Sequence, residues 1–270
     1  MSDSLWSHWG WPLATAVLGL VFAGLVFRQY LVRRKAHQAA WSVGLLFYGV
    51  AAVFEAWSEY SDHWDPTVYR LYIVLAASLV GFLGLGSLYL IARRQWLGHL
   101  YLAFTLVAFA IFLYGAFTVK LDMTKLVPGI TVGGQALGES LSFPRFMSLF
   151  FNIPGSIFLL GGAVLSIYRF SRKKEYAYRM WANVLIAAGT ILIAYAGSRA
   201  RLGVTPGLYP AEMFASALLL AGFLMAGSLR TGAKAIGARI TTERGVAGRD
   251  EVGASEPVVA AEPGSSEADS

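Results

Sequence analysis

The sequence predicts an all-α integral membrane protein with seven transmembrane helices. Of its 270 residues, 56% are hydrophobic and only 14% are charged, and the mean hydropathy is +0.56. Long apolar runs dominate residues 11–229. This composition excludes a soluble enzyme and a disordered hub. The chain has no cysteine, which also excludes a disulfide scaffold, thiol catalysis and thiolate metal sites.

Seven apolar runs are long enough to form membrane-spanning helices, because a helix needs about 20 apolar residues to cross a hydrocarbon core of about 30 Å. Polar clusters separate them. The runs lie near 11–27, 38–57, 69–91, 97–119, 146–168, 180–197 and 210–229. The first run follows a segment without Lys or Arg and leads directly into further spans. We therefore expect it to be a retained helix and not a cleaved signal peptide.

The distribution of basic residues predicts the orientation, because basic loops are retained on the cytoplasmic side. Most of the 22 Lys and Arg residues fall in the connections after the first, third and fifth runs and in the C-terminal segment. The remaining connections hold Arg70, Lys120, Lys125, Arg145, Arg199 and Arg201. The amino terminus is therefore expected outside and the carboxyl terminus inside.

The chain is expected to divide into a seven-helix transmembrane domain over 1–230 and a cytoplasmic, largely disordered tail over 231–270. From residue 240 onward, Gly, Ala, Ser, Pro and acidic residues replace the apolar runs, and such a segment cannot bury enough surface to offset its ordering entropy. The spacing of basic residues over 230–239 favours a short interfacial helix. The basic inner loops predict membrane lipid with anionic headgroups as a partner, and no nucleic acid.

Two sets of three helices show signs of duplication, with halves 11–91 and 146–229 and a linker helix over 97–119. Residues Gly81 to Leu83 match Gly222 to Leu224, and Trp41 and Gly49 match Trp181 and Gly189, at an offset of about 140 residues. The alternative is that helices which pack closely in lipid share small residues. This 3+1+3 layout resembles that of the sugar-transporting SWEET and PQ-loop proteins, although the chain contains no Pro-Gln pair. Its topology is also similar to the seven-helix sensor modules of bacterial histidine kinases.

The connection over 120–145 is the longest, and loops of this length usually have a role. It contains several glycines and prolines among apolar residues. Two interpretations stay open: a lid folded over the outer mouth of the bundle, or a plain surface loop.

Ionisable residues cluster at the predicted outer ends of the helices, where charge near hydrocarbon is costly and is usually paired or functional. This candidate ligand-binding or gating set comprises Glu55, Glu59, Arg70, Arg199, Arg201 and Glu212. The repeat relates Glu59 to Arg199, which predicts an ion pair between the halves, and places Arg70 near the equivalent of Glu212. Packing salt bridges that close the outer face are the alternative. Glu55 lies deeper than Glu59 on the same helix face and is the expected protonatable member.

These observations favour a multi-pass protein of a bacterial cell membrane that binds or translocates a small solute or ion between its two halves. The rival hypothesis is a membrane sensor or scaffold that acts through the basic inner loops and the tail. No catalytic set, metal site or cofactor site is predicted. His37 and His99 are expected to make headgroup or helix-end contacts, and no lysine follows Glu212 in the last span to carry retinal.

Overall fold

The described part of the chain contains seven helices long and apolar enough to cross a membrane, as predicted. The computed structural model describes residues 9–128, 134–139, 141–171, 177–204 and 206–225. No strand occurs within these residues. The helices are α1 (Gly10–Arg33), α2 (Ala36–Ser61), α3 (Pro66–Ile91), α4 (Gln95–Thr118), α5 (Ser148–Ser171), α6 (Ala177–Arg201) and α7 (Leu208–Met225). The expected interfacial helix over 230–239 and the tail over 231–270 lie outside the described residues.

The ends of the first helices follow from local chemistry. α1 and α2 each stop at a residue with positive φ, Arg34 (φ 51°) and Asp62 (φ 52°), whose backbone N–H still bonds to the last turn of the helix. α3 begins at Pro66, where the missing N–H has no helical partner to lose. The carboxylate of Asp65 accepts hydrogen bonds from the backbone N–H groups of Thr67 and Val68, at 2.8 and 3.0 Å, and so caps the helix.

Six of the helices follow one another around a closed ring. α1 packs on α2, α2 on α3, α3 on α5 and α5 on α6, and α6 packs on α7 through Gly189 and Gly222. The ring closes where Phe22 of α1 meets Phe223 of α7 at 4.9 Å between ring centroids. α4 lies against α3 and touches α5, so it stands outside the ring.

The contact between α3 and α5 depends on two glycines. A Cβ atom on Gly84 would overlap the backbone of Gly155, and one on Gly155 would overlap the carbonyl of Val80. Only glycine therefore allows the two backbones to approach this closely, which is the usual device of helix pairs in lipid.

Residues that the proposed repeat relates to each other do not occupy equivalent surroundings. Gly49 of α2 packs on α1 at Leu20, whereas Gly189 of α6 packs on α7 at Ala215. Trp41 donates a hydrogen bond to the carbonyl of Leu83, whereas Trp181 is 56% exposed. These matched positions therefore do not share a packing partner.

The described part of the long connection is packed against the bundle and is not a plain surface loop. Ala136 and Leu137 are 0% and 2% exposed and belong to a core cluster that includes residues of α3, α4, α6 and α7. The side-chain amide of Gln135 donates to the carbonyl of Ala200 in the last turn of α6, at 2.9 Å. The connection thus covers one end of the ring, which we call the covered end.

A short charged turn opens this connection at its surface. Lys125 lies 3.3 Å from the carboxylate of Asp122, which also accepts a hydrogen bond of 2.6 Å from the hydroxyl of Thr124. That hydrogen bond, followed by the Lys125 ammonium group, lowers the pKa of the Asp122 carboxyl.

Candidate functional site

A cavity of about 370 Å³ lies inside the ring and is lined by all seven helices and by the connection. Along α5 it extends from Ser148 to Ser166, which corresponds to about 27 Å at a rise of 1.5 Å per residue. On α3 it extends from Tyr72 to Ile91. The cavity therefore runs along most of the depth of a hydrocarbon core of about 30 Å.

The two sides of the cavity differ in chemistry. α2 and α3 contribute an apolar wall that includes Leu45, Ile73, Leu79 and Leu83. α5 and α6 contribute hydroxyl and amide side chains among apolar ones such as Leu159 and Ile186. The polar residues on α5 recur at helical spacing and therefore lie on one face of that helix. We call the polar residues on this side of the cavity the polar track, which comprises Ser148, Asn152, Ser156 and Ser166 of α5 and Asn183 and Thr190 of α6. Such a cavity offers apolar contact along one side and hydrogen bonds along the other.

Two carboxyl groups face each other near the covered end of the cavity. Glu55 of α2 is 3% exposed, and its Oε1 atom accepts a hydrogen bond of 2.6 Å from the hydroxyl of Tyr72 on α3. The carboxyl of Glu212 on α7 lies against that of Glu55. Both residues line the cavity. We call Glu55 and Glu212 the carboxyl pair.

Hydroxyl groups hold the backbone around Glu212. The hydroxyl of Tyr48 on α2 donates to the carbonyl of Glu212 at 3.0 Å and lies 2.7 Å from the hydroxyl of Ser216. Ser216 in turn donates to the same carbonyl at 2.6 Å. These bonds fix the first turns of α7 against α2 and so fix the position of the Glu212 side chain.

Glu59, one turn away from Glu55, has a different partner from the one predicted. Its Oε1 atom accepts a hydrogen bond of 2.7 Å from the hydroxyl of Tyr209 on α7. The guanidinium of Arg199 lies over the ring of Tyr195, 5.7 Å from its centroid, and no ion pair joins Arg199 to Glu59 among the described residues. The predicted ion pair between the halves is therefore wrong. A neutral phenol satisfies the carboxylate instead, and the cation remains on α6 beside an aromatic face.

Arg70 is also not part of the carboxyl pair. Its guanidinium donates to the carbonyls of Ala116 and Val119, which belong to the last turn of α4, where backbone carbonyls lack helical partners. Arg70 thus fastens α4 to α3 and closes a helix end. The side chain of Arg201 lies outside the described residues. Of the six predicted site residues, the structure brings Glu55 and Glu212 together and holds Glu59 nearby through Tyr209.

Two features of the site were not predicted from the sequence. Tyr48, Tyr72 and Tyr209 surround the carboxylates, but tyrosines are common in membrane helices and at membrane interfaces and gave no separate signal. Arg145 was assigned to the connection, yet it is 6% exposed, donates to the carbonyl of Gly138 at 3.1 Å and lines the cavity.

Trp64 follows α2 in the sequence, and the structure buries it beside the site. It is 3% exposed, and its ring centroid lies 5.0 Å from that of Tyr72 and 5.5 Å from that of Tyr69. The hydroxyl of Tyr69 hydrogen-bonds to the backbone of Ala136 in the connection. Trp64 therefore packs Tyr72 into place from the covered end.

His37 of α2 and His99 of α4 make aromatic contacts. His37 packs edge-on against Trp41 and His99 against Tyr89, at 5.2 and 5.6 Å between centroids. Within the described residues, no three His, Asp or Glu side chains are grouped so as to hold a metal ion.

No family model, curated protein or solved structure matches this chain.

Proposed function

We propose that the protein binds a small solute in the central cavity and translocates it between its two three-helix halves, α1 to α3 and α5 to α7. The observation that carries this proposal is the long cavity with the carboxyl pair at one end. A carboxylate in a membrane interior is costly and marks a pathway or binding site more often than a structural contact.

The length of the cavity favours translocation over binding at one surface. It runs beside α5 from its first to its last turns, and its polar track offers successive hydrogen-bonding groups to a moving solute. The glycine contact between α3 and α5 forms one boundary between the halves, and the aromatic contact between α1 and α7 forms the other. A change at these two boundaries would open one end of the cavity and close the other.

The finer topology belongs to the same proposal. With the amino terminus outside, as the basic loops favour, the covered end would face the outside of a bacterial cell membrane, and anionic headgroups would contact the opposite end. The cyclic order of the six ring helices supports a 3+1+3 arrangement with α4 as the linker.

Mass spectrometry and uptake together test this function. Protein purified in native lipid should retain a small molecule that is lost from Ala76→Leu, which fills part of the cavity wall. Proteoliposomes given a broad solute panel, with and without a proton gradient, should accumulate at least one solute, and Ala76→Leu should reduce that uptake. Ala110→Leu on α4, whose side chain does not line the cavity, is the matched control. Protein without a retained molecule and silent uptake would together contradict the proposal.

A further inference from the structure

The cavity has one anionic end and one apolar wall, and this combination indicates a class of ligand. We propose that the cavity binds an amphiphile with a protonated amine, its ammonium group on the carboxyl pair and its hydrocarbon part along the wall of α2 and α3. The inference deepens the proposed function and rests on it.

The carboxyl pair has no described cation as an ion-pair partner. Among the described side chains, no Lys, Arg or His forms an ion pair with Glu55 or Glu212, and the described ion pair of the protein is that of Asp122 and Lys125. Arg70 is bound to α4 carbonyls and Arg199 lies over Tyr195. Arg145 also lines the cavity, but its guanidinium donates to the carbonyl of Gly138. An ammonium group supplied by a ligand would compensate the two carboxyl groups, with which no described cation forms an ion pair.

The hydrogen-bonding groups of the carboxyl pair match those of an ammonium group. An ammonium group has three donors and no acceptor, so it requires several acceptors at one point. Glu55 uses Oε1 to accept from Tyr72, and its carboxyl group also shares a hydrogen bond with that of Glu212. The remaining lone pairs of these two cavity-lining carboxyl groups are the acceptors that an ammonium group would use. A carboxylate or phosphate ligand would instead be repelled here.

The shape of the cavity suits a hydrocarbon chain. The cavity continues from the carboxyl pair past Leu79 and Leu83 to Ile91 near the far end of α3. Its volume of about 370 Å³ is spread over this length, so it accepts a slender hydrocarbon chain better than a compact polar molecule. Burial of a methylene group on the apolar wall adds about 0.8 kcal/mol, or about a fourfold gain in affinity.

Titration of phosphatidylcholine nanodiscs with octylamine, 1-octanol and octanoate tests the inference, with empty nanodiscs as the partition control. We expect octylamine to bind the protein at least about tenfold more tightly than the other two, as a charge-assisted hydrogen bond predicts. Hexylamine should bind more weakly than octylamine. Both Glu55→Gln and Glu212→Gln should abolish the preference for amine, because each removes a carboxyl group that would bind the ammonium group. The amide keeps the shape of the side chain, and at position 55 it can still accept the hydrogen bond from Tyr72. Glu139→Gln, at an exposed position of the connection, should keep it.

The outcomes separate this inference from the proposed function. If octanol or octanoate binds as tightly as octylamine, and the Gln variants leave that ranking unchanged, the inference is overturned. Binding that still falls in Ala76→Leu would then leave the proposed function standing. If none of the probes binds and the solute panel is silent as well, both fail. Phosphatidylethanolamine added to the nanodisc identifies the source of the ammonium group. If it competes with octylamine, the natural ligand is a lipid amine. If it does not compete, the natural ligand is a free amine.

Discussion

The hydroxyl of Tyr209 on α7 donates a hydrogen bond of 2.7 Å to the carboxylate of Glu59 on α2. This bond joins two helices that are distant in sequence at the covered end of the bundle. Glu59 is thereby held one turn from Glu55, and Tyr209 stands beside the carboxyl pair. Together with the bonds of Tyr48 to Glu212 and Ser216, this phenol joins α2 to α7 at the site, and Glu59 needs no arginine as its partner.

Removal of this hydroxyl should destabilise the protein. We expect Tyr209→Phe to lower the free energy of unfolding by about 1 to 3 kcal/mol, the range for a hydrogen bond to a charged group. Unfolding in detergent or by steric trapping measures the change. Tyr114→Phe on α4, 69% exposed, should leave stability unchanged. Equal stability of Tyr209→Phe and the parent protein would show that the bond does not contribute.

A double-mutant cycle distinguishes this contact from the ion pair that the sequence predicted. Glu59→Met, which removes the acceptor, and Tyr209→Phe should be coupled by more than about 0.5 kcal/mol, because the two residues share a hydrogen bond. Glu59→Gln and Arg199→Met should be additive within about 0.5 kcal/mol, since Arg199 lies over Tyr195. The reverse pattern, with coupling to Arg199 and none to Tyr209, would contradict the structure.

The sequence predicted the helices well but the site only in part, and the two outcomes have different physical causes. Helix positions follow from apolar length, which a chain reveals directly, so the predicted run 69–91 became Pro66–Ile91. Partners of a charged side chain depend on how helices rotate about their axes. An assumed repeat placed Arg199 opposite Glu59, but Gly189 of α6 packs on α7, and Arg199 lies over Tyr195 of its own helix.

Close contact between α3 and α5 should be intolerant of any side chain at Gly155. We expect Gly155→Ala to lower the free energy of unfolding by about 1 to 3 kcal/mol or more, because its Cβ would meet the backbone of Val80. Gly161→Ala on the same helix has no atom within 4 Å of the new Cβ and should be neutral or slightly stabilising. Melting temperatures of the two variants decide the question, and a similar loss in both would show that helix flexibility matters more than the close approach.

Arg70 should be important for stability but not for ligand binding. Arg70→Met leaves the carbonyls of Ala116 and Val119 without their donor, and we expect a loss of about 1 to 3 kcal/mol. Lys120→Met, at an exposed position next to the same helix end, should change little. At temperatures where both variants are folded, their affinity for octylamine should equal that of the parent. A loss of octylamine affinity in Arg70→Met but not in Lys120→Met would show that Arg70 contributes to the binding site.

The connection should control access to the cavity from the covered end, and the absence of cysteine makes this directly measurable. A single cysteine at Ser148, 5% exposed and in the cavity wall, should react slowly with a membrane-impermeant maleimide. Gln135→Ala removes the bond from the connection to the carbonyl of Ala200. If this bond stabilises the closed position of the connection by about 1 kcal/mol, its loss should raise the rate of the maleimide reaction by about fivefold. A cysteine at Leu141, 77% exposed, should react rapidly with or without Gln135→Ala, and labelling of whole cells at this position also tests whether the covered end faces outside. If Ser148→Cys reacts as fast as Leu141→Cys before Gln135 is changed, the connection does not close the cavity.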